Sequence, residues 1–356
     1  MNNNLEKVCI FYGYPISISG YWSVESAVEI YQKYDIVVFG EGYNNPSHEA
    51  YEDTVNIINT LNIKSPKLKT YGYVPCAADK KNDKEKIKKI KEDIELWKRI
   101  KVSGIFLDEF GYDYLNTRER QNEIIKFCRE SNLKIFVNSW NDDWLFSSKN
   151  IKLDWIPNHI TNPKNIECIL TKDDYFLYEN MFWYVENGIQ CHSLPMIPHR
   201  AYNYFNMKKT EFFNKTYYEK FGCKCVSLDG ILKSLEGTKR YENMMDISIY
   251  FSKILNIHGV AFANETWGAN GFYRDWSSKK IDLKRNIENR IECKFYSGYP
   301  KEYLSKIDED EIKIIWSNKD NNMETGIRQV ILNEKVVAED YSYVNIKKFF
   351  YKIFKL

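Results

Sequence analysis

The stretch GIFLDE, residues 104–109, is an apolar run of strand length that ends in two carboxylates. Thr117 follows as a candidate helix N-cap, and an amphipathic stretch with apolar residues at helical spacing comes after it. Seven other short apolar runs of this kind begin at residues 7, 35, 69, 134, 174, 223 and 259. With the run at 104 included, neighbouring runs begin 28 to 49 residues apart. Eight strand–helix units of this size predict an α/β protein, a (β/α)8 barrel of the TIM type.

The alternation of strands and helices stops after about residue 280. Beyond it, residues 312–317 and 328–333 are typical of β-strands, and residues 333–335 suit a tight turn. This change predicts a small second unit made of strands. The expected domains are a TIM-barrel domain over 1–284, a small β-rich annex over 285–345, and a basic amphipathic C-terminal tail over 346–356.

Two segments allow more than one interpretation. Residues 153–156, LDWI, are strand-like and are a candidate extra strand. The tail over 346–356 is basic and aromatic. It favours either a helix docked on the domain or an amphipathic helix that makes weak contact with a membrane surface.

Composition and charge exclude several classes of protein. Lys and Arg number 51 and Asp and Glu number 49, so the net charge is +2 and no nucleic-acid partner is expected. Hydrophobic residues make up 44% of the chain, which is enough for a packed core and argues against disorder. The N-terminus carries neither a basic nor an apolar segment, which predicts a chain without a signal peptide, located in the cytoplasm.

Sites for metals and cofactors have no signature in the sequence. The eight cysteines are scattered, and Cys223 and Cys225 lack the second pair that a zinc site needs. The five histidines show no metal-ligand spacing, and no Gly-rich phosphate-binding loop is present. We therefore expect neither a metal nor a cofactor.

Carboxylates end several of the predicted strands, and functional residues of a TIM barrel lie at these C-terminal ends. Asp108 ends the fourth run and Glu179 the sixth. At about 4.8 Å per strand the two backbones stand roughly 10 Å apart, which allows carboxyl separations of about 5 to 9 Å. Glycoside hydrolysis uses two carboxylates in this range, and the range covers both retaining and inverting enzymes. Glu109 follows Asp108 and is expected to point away in a structural role.

Aromatic residues are frequent, at 16% of the chain, and some of them follow strand ends beside amides and carboxylates. Aromatic faces stack on sugar rings, and planar polar groups bind sugar hydroxyls. Much of the remaining aromatic content is expected in the core. The residues expected to bind a sugar are Tyr12, Glu41, Tyr73, Tyr112, Asn138, Trp140, Glu265 and Trp267.

Several segments resemble a known group of enzymes. Residues 104–113, GIFLDEFGYD, with residues 117–123, TRERQNE, resemble the fourth-strand motif of TIM-barrel glycosidases related to glycoside hydrolase family 114, the endo-α-1,4-polygalactosaminidase-like group. Residues 137–141, VNSWN, and 177–182, LYENMF, resemble the fifth- and sixth-strand segments of that group. The resemblance covers roughly residues 7–275.

The resemblance implies that Asp108 and Glu179 are the catalytic residues and that the substrate contains amino sugars. We therefore expect a glycosidase that hydrolyses a polysaccharide or glycan, with Glu179 as general acid/base and Asp108 as nucleophile or base. One alternative is a non-catalytic carbohydrate-binding barrel in a surface-glycan or phage structural system, which would be surface- or virion-associated. Another is a scaffold whose C-terminal helix binds a membrane. The sugar, the linkage and the choice between endo and exo action stay open.

Overall fold

A computed structural model describes residues 5–79, 81–186, 189–192, 222–264, 292–296, 299–307, 310–318 and 325–343. Its first ten strands are β1 (Glu6–Phe11), β2 (Ile36–Phe39), β3 (Lys69–Pro75), β4 (Gly104–Asp108), β5 (Lys134–Asn138), β6 (Tyr175–Glu179), β7 (Trp183–Glu186), β8 (Ile189–His192), β9 (Lys224–Ile231) and β10 (Gly259–Asn264). All but β7 and β8 close into a parallel barrel in the order β1-β2-β3-β4-β5-β6-β9-β10. These eight strands are the eight predicted runs, so the (β/α)8 prediction is confirmed.

The described helices are α1 (Val24–Tyr31), α2 (Tyr51–Lys64), α3 (Asp83–Arg99), α4 (Arg118–Glu130), α5 (Asp143–Phe146) and α6 (Lys239–Ile254). Side-chain oxygens of Ser23, Thr117 and Thr238 cap three of them, each accepting a backbone N–H at 3.2 Å. Residues 147–174 contain neither helix nor strand. The predicted extra strand at 153–156 is therefore wrong, because a hydrogen bond from the Ile156 N–H to the Leu153 carbonyl, at 3.0 Å, closes a turn there.

Aromatic side chains fill much of the barrel interior. The rings of Phe106 and Phe136 meet edge to face, with 5.0 Å between their centres. At the N-terminal end, Lys69 donates to the Tyr175 hydroxyl at 2.7 Å, and that hydroxyl donates to Glu6 at 2.8 Å. This partly buried network closes the barrel at its N-terminal end. The interior is therefore approached from the C-terminal ends of the strands.

Gly72 in β3 makes room for Trp97 of α3. A Cβ at position 72 would lie 2.1 Å from Cδ2 of Trp97, a fully buried residue whose indole donates to the Tyr73 carbonyl at 2.9 Å. Gly72→Ala is expected to lower the free energy of unfolding by about 3 kcal/mol, because the indole or the strand must shift. Urea denaturation measures the change, with the exposed-site variant Ile63→Ala as control. An unchanged midpoint for Gly72→Ala would contradict this packing.

The second unit is a five-stranded antiparallel sheet that packs on α6. Arg240 of α6 pairs with the buried Asp340 at 2.7 Å, and the Asn243 amide donates to the Glu339 carbonyl at 2.7 Å. Its strands, in sheet order, are β11 (Glu292–Tyr296), β12 (Tyr299–Ile307), β13 (Asp310–Asn318), β14 (Thr325–Leu332) and β15 (Lys335–Tyr343).

The expected turn at residues 333–335 is present between β14 and β15. Asn333 and Glu334 have φ angles of 47° and 66°, the left-handed conformation of a tight hairpin turn. The predicted boundary at 284/285 and the tail over 346–356 lie outside the described residues. Within the described part of the chain, no helix is long and apolar enough to cross a membrane.

Candidate active site

A cavity of about 220 Å³ opens at the C-terminal ends of β4, β5 and β6. These strands end in Asp108, Asn138 and Glu179, so all three side chains reach the cavity. This is the end of a (β/α)8 barrel at which enzymes of this fold place their chemistry. The described residues that line the cavity are Tyr12, Asp108, Glu109, Phe110, Asp113, Tyr114, Asn138, Ser139, Trp140, Glu179 and Leu228.

One amide group holds the two candidate catalytic carboxylates together. Nδ2 of Asn138 donates to Oδ1 of Asp108 and to Oε1 of Glu179, each at 2.8 Å. Because both oxygens bond to one nitrogen, the distance between them is at most twice 2.8 Å. This separation is at the lower end of the range predicted from strand spacing. Asn138, predicted as a sugar-binding residue, uses its amide to position the pair.

The chain turns sharply after each of these carboxylates. Glu109 and Asn180 have φ angles of 54° and 52°, a left-handed conformation that is uncommon for residues other than glycine. The Asn180 N–H then donates to the Leu228 carbonyl at 2.7 Å. After Asp108 the alternation of strand side chains stops, and Glu109 lines the same cavity. The prediction that Glu109 points away from the site is therefore wrong.

A buried carboxylate fixes the loop that follows Glu179. Asp229 of β9 is fully buried, and its Oδ1 accepts the backbone N–H groups of Phe182 at 2.7 Å and Trp183 at 3.1 Å. Burial raises the pKa of Asp229 to about 6, and the two N–H donors oppose that rise. Phe182 and Trp183 are themselves buried. The end of β6 is thus anchored to its neighbour β9.

The paired carboxyls have different surroundings. Burial, followed by the negative charge of Asp108, raises the pKa of Glu179 to about 7. Burial also raises the pKa of Asp108, but hydrogen bonds from the Tyr73 hydroxyl, the Glu109 N–H and the Asn138 amide oppose that rise. The three donors favour the charged form of Asp108, and a pKa of about 7 keeps part of Glu179 protonated at neutral pH.

Asp113 and Tyr114 line the cavity although the strand-end rule does not predict them. They belong to a short 3-10 helix, Tyr112–Tyr114, after β4. Burial raises the pKa of Asp113 to about 6, and the negative charge of Asp113 in turn raises the pKa of Glu179. The only sequence signal is their place in the loop after the fourth run.

Tyr112, predicted to bind a sugar, does not reach the cavity. Its side chain is fully buried in a cluster with Trp144 and Leu153, and its ring lies 5.7 Å from the Arg118 guanidinium. The 3-10 helix turns Tyr112 inward and leaves its two successors facing the cavity. The prediction for Tyr112 is therefore wrong.

The other predicted sugar-binding residues fall into four groups. Tyr12 and Trp140 line the cavity. Tyr73 lies behind it, bonded to Asp108, with its ring 5.1 Å from that of Tyr12. Glu41 is exposed in the loop after β2 and does not line the cavity. Glu265 and Trp267 lie outside the described residues. Across the described ranges, no three His, Cys, Asp or Glu side chains are arranged to hold a metal ion.

Comparisons with known proteins identify no family for the chain. No family profile and no curated protein sequence matches the chain. It is similar to the glycoside hydrolase domain of PelA from Pseudomonas aeruginosa, with 11% identity and a TM-score of 0.44, over 72% of this chain and 94% of that one. It is also similar to Sph3 from Aspergillus clavatus in complex with GalNAc, with 14% identity and a TM-score of 0.34, over 77% of this chain and 96% of that one.

A malate synthase from Haloferax volcanii is similar at the same level, with 10% identity and a TM-score of 0.39, over 75% of this chain and 68% of that one. Similarity at this level does not select a function, which depends on the residues of the site.

Proposed function

We propose that this protein is a glycoside hydrolase that cleaves a polysaccharide or glycan with Asp108 and Glu179. The observation that carries the proposal is the Asn138 bridge, whose two hydrogen bonds of 2.8 Å hold oxygens of the two carboxyls together at the barrel mouth. Retaining glycosidases keep their two carboxyl groups about 5 to 5.5 Å apart, whereas inverting ones need about 6.5 to 9.5 Å. The limit of twice 2.8 Å applies to the two oxygens that bond to Asn138, and this close approach favours the shorter separation of a retaining mechanism.

The hydrogen bonds support a different role for each carboxyl. Asp108 accepts three donors that stabilise its charge, which suits a nucleophile. An Asp108 oxygen attacks the anomeric carbon, the glycosidic C–O bond breaks, and the leaving oxygen takes the proton of Glu179. Glu179 then removes a proton from water, which attacks the same carbon and releases Asp108. In the described structure Asn138 is the one donor to Glu179, which leaves its proton available.

The charge of the cavity supports an amino-sugar substrate. Asp108, Glu109, Asp113 and Glu179 line it, and no Lys, Arg or His occurs among its described lining residues. A negative cavity favours a positively charged ligand, and an unacetylated amino sugar carries that charge near neutral pH. The resemblance of the fourth-strand segment to the polygalactosaminidase-like group agrees with this substrate class.

A non-catalytic sugar-binding barrel is the alternative function. Such a protein needs no acid/base pair, and an ion pair that neutralised one carboxylate would favour it. In the described part of the chain, neither Asp108 nor Glu179 pairs with a cation. The site therefore favours catalysis over binding alone.

A glycan screen tests the proposed function. Purified protein is incubated with α-1,4-linked galactosamine polymer, its N-acetylated form, chitosan and neutral polysaccharides, and new reducing ends are measured. We expect release from an amino-sugar polymer, and none from the Asp108→Asn/Glu179→Gln double variant. Saturable binding of a polymer without any release of reducing ends would support the sugar-binding alternative instead.

The pH dependence follows from the protonation states. A general acid must be protonated, and the pKa of Glu179 is about 7, so kcat/KM is expected to fall about tenfold per pH unit above that value. Activity also falls on the acid side as Asp108 takes up a proton. A pH profile between 4 and 9 measures both limbs. A profile that stays flat from pH 6 to 9 would contradict Glu179 as the acid.

A further inference from the structure

Asp229 is a carboxylate buried between the barrel wall and a helix. Val226 and Leu228 of β9 belong to the interior cluster, so the alternation of the strand turns Asp229 outward, towards Ser248 of α6. The side chain is fully buried, and within the described residues it forms no ion pair. A buried carboxylate without a cation costs stability, so packing alone does not explain its presence.

The hydrogen bonds of Asp229 go to the backbone that follows Glu179. Its Oδ1 accepts the N–H groups of Phe182 at 2.7 Å and Trp183 at 3.1 Å. Both residues are fully buried, so water does not replace this acceptor. Without it, two buried N–H groups would bear the full cost of desolvation. The chain after β6 is therefore held where Asp229 reaches it.

The side chains of the same two residues are fixed by α6. The indole of Trp183 donates to the Met244 carbonyl at 3.1 Å. The ring of Phe182 stacks on that of Phe251, with 5.1 Å between the ring centres. The segment is thus held by β9 through its N–H groups and by α6 through its side chains, which leaves it little freedom to shift.

Glu179 is joined to this segment by a short stretch of chain. Asn180 and Met181 alone separate it from Phe182. Asn180 has the left-handed φ of 52°, and its N–H donates at 2.7 Å to the carbonyl of Leu228, the residue before Asp229. The direction in which Glu179 leaves β6 therefore depends on where β9 holds the next four residues.

We propose that Asp229 is a positioning residue for Glu179, which it keeps within reach of the Asn138 amide and of the bond to be cleaved. This inference rests on the proposed function. Asp229 is absent from the described lining of the cavity, so it acts through the backbone and not on the substrate. A displacement of about 1 Å in a catalytic group costs roughly 10²-fold in rate, so a residue outside the cavity can control kcat.

Asp229→Asn separates positioning from stability. Asparagine keeps an oxygen that accepts both N–H groups, and it removes a charge whose burial raises the pKa of Asp229 to about 6. Above that pH the wild type must hold an ionised carboxylate in the core, so the urea midpoint of the variant at pH 8 is expected to equal or exceed that of the wild type. The expected loss in kcat is below about tenfold.

Asp229→Leu removes the acceptors while keeping a branched side chain. We expect kcat on an amino-sugar polymer to fall about 10²-fold and KM to stay within about threefold, because the residues that line the cavity remain. Ser227→Ala is the matched control. Ser227 is buried on the same face of β9, and its hydroxyl lies 3.4 Å from that of Ser252, away from the segment after Glu179. This control is expected to keep the wild-type kcat.

The pKa of Glu179 gives a readout that needs no substrate. Carbon-13 NMR of labelled glutamate side chains is expected to show a changed pKa in Asp229→Leu, and the wild-type value of about 7 in Asp229→Asn and Ser227→Ala. If the wild type cleaves no glycan, the proposed function fails and this titration still decides the positioning.

Two results would overturn the positioning role. One is a folded Asp229→Leu variant with wild-type kcat and an unchanged pKa of Glu179. The other is an Asp229→Asn variant that loses more than about tenfold in kcat although its urea midpoint is that of the wild type, because the hydrogen-bond acceptor is then present and positioning fails to explain the loss. The second result decides the question even where Asp229→Leu does not fold.

Discussion

Glu179→Gln is expected to lower kcat/KM on an amino-sugar polymer by about 10³-fold. The amide cannot give the glycosidic oxygen a proton, although its carbonyl oxygen still accepts the Asn138 hydrogen bond seen at 2.8 Å. Reducing-end release under initial-rate conditions measures the loss. Activity within tenfold of the wild type would show that another group supplies the proton.

The folding control for this variant has a definite sign. Burial raises the folded-state pKa of Glu179 to about 7 from the ordinary 4.5. Because the buried carboxyl must ionise as the pH rises above 4.5, the free energy of unfolding of the wild type falls between these two pH values and above them. Glutamine removes that cost. The variant is expected to be more stable than the wild type at pH 8, by up to about 3 kcal/mol, and equally stable at pH 4. Lower stability at pH 8 would point to a structural role for Glu179.

Asp108→Asn is expected to have the larger effect, a loss of about 10⁴-fold or more in kcat/KM. Asparagine has no charge with which to attack the anomeric carbon. The Tyr73 hydroxyl, the Glu109 N–H and the Asn138 amide all donate to this carboxyl. In one of the two orientations of the new side-chain amide, its NH₂ group faces these donors and cannot accept their hydrogen bonds. Steady-state kinetics on the polymer that the wild type cleaves measures the loss.

Asp113→Asn is the matched control for Asp108→Asn. It removes another partly buried carboxyl from the same cavity and leaves the Asn138 bridge intact. Its expected loss is below about tenfold. A loss as large as that of Asp108→Asn would mean that the catalytic pair is misassigned.

The same substitution at Asp108 makes a second, independent test. The negative charge of Asp108 raises the pKa of Glu179. Removing that charge is expected to lower the pKa of Glu179 below 7. Carbon-13 NMR of the labelled glutamate side chains follows the titration, and an unchanged or higher pKa would contradict the coupling.

The barrel and the positions of the two candidate carboxylates could be predicted, because the end of a strand shows both where a side chain lies and what chemistry it offers. Each of the eight runs is apolar, and Asp108 and Glu179 are the last residues of their strands. Strand spacing alone then places their carboxyls within about 5 to 9 Å. The tighter limit set by the two hydrogen bonds of Asn138 depends on how its side chain is oriented, which no spacing rule contains.

The wrong predictions for site residues concern positions where the backbone leaves regular strands and helices. The alternation of strand side chains predicts that Glu109 points away, but its left-handed φ of 54° brings it into the cavity. The 3-10 helix after β4 buries Tyr112 and presents Asp113 and Tyr114. Both departures depend on tertiary contacts around short turns, such as the packing of Tyr112 on Trp144 and Leu153.

The most direct test of the account is the anomeric configuration of the first product. Proton NMR follows the wild type and the Asp108→Asn and Glu179→Gln variants as they act on α-1,4-linked galactosamine oligomers, before the product mutarotates. The close pair that Asn138 bridges predicts the α-anomer from the wild type and no product from either variant on this time scale. A β-anomer from the wild type, or undiminished hydrolysis by either variant, would contradict it.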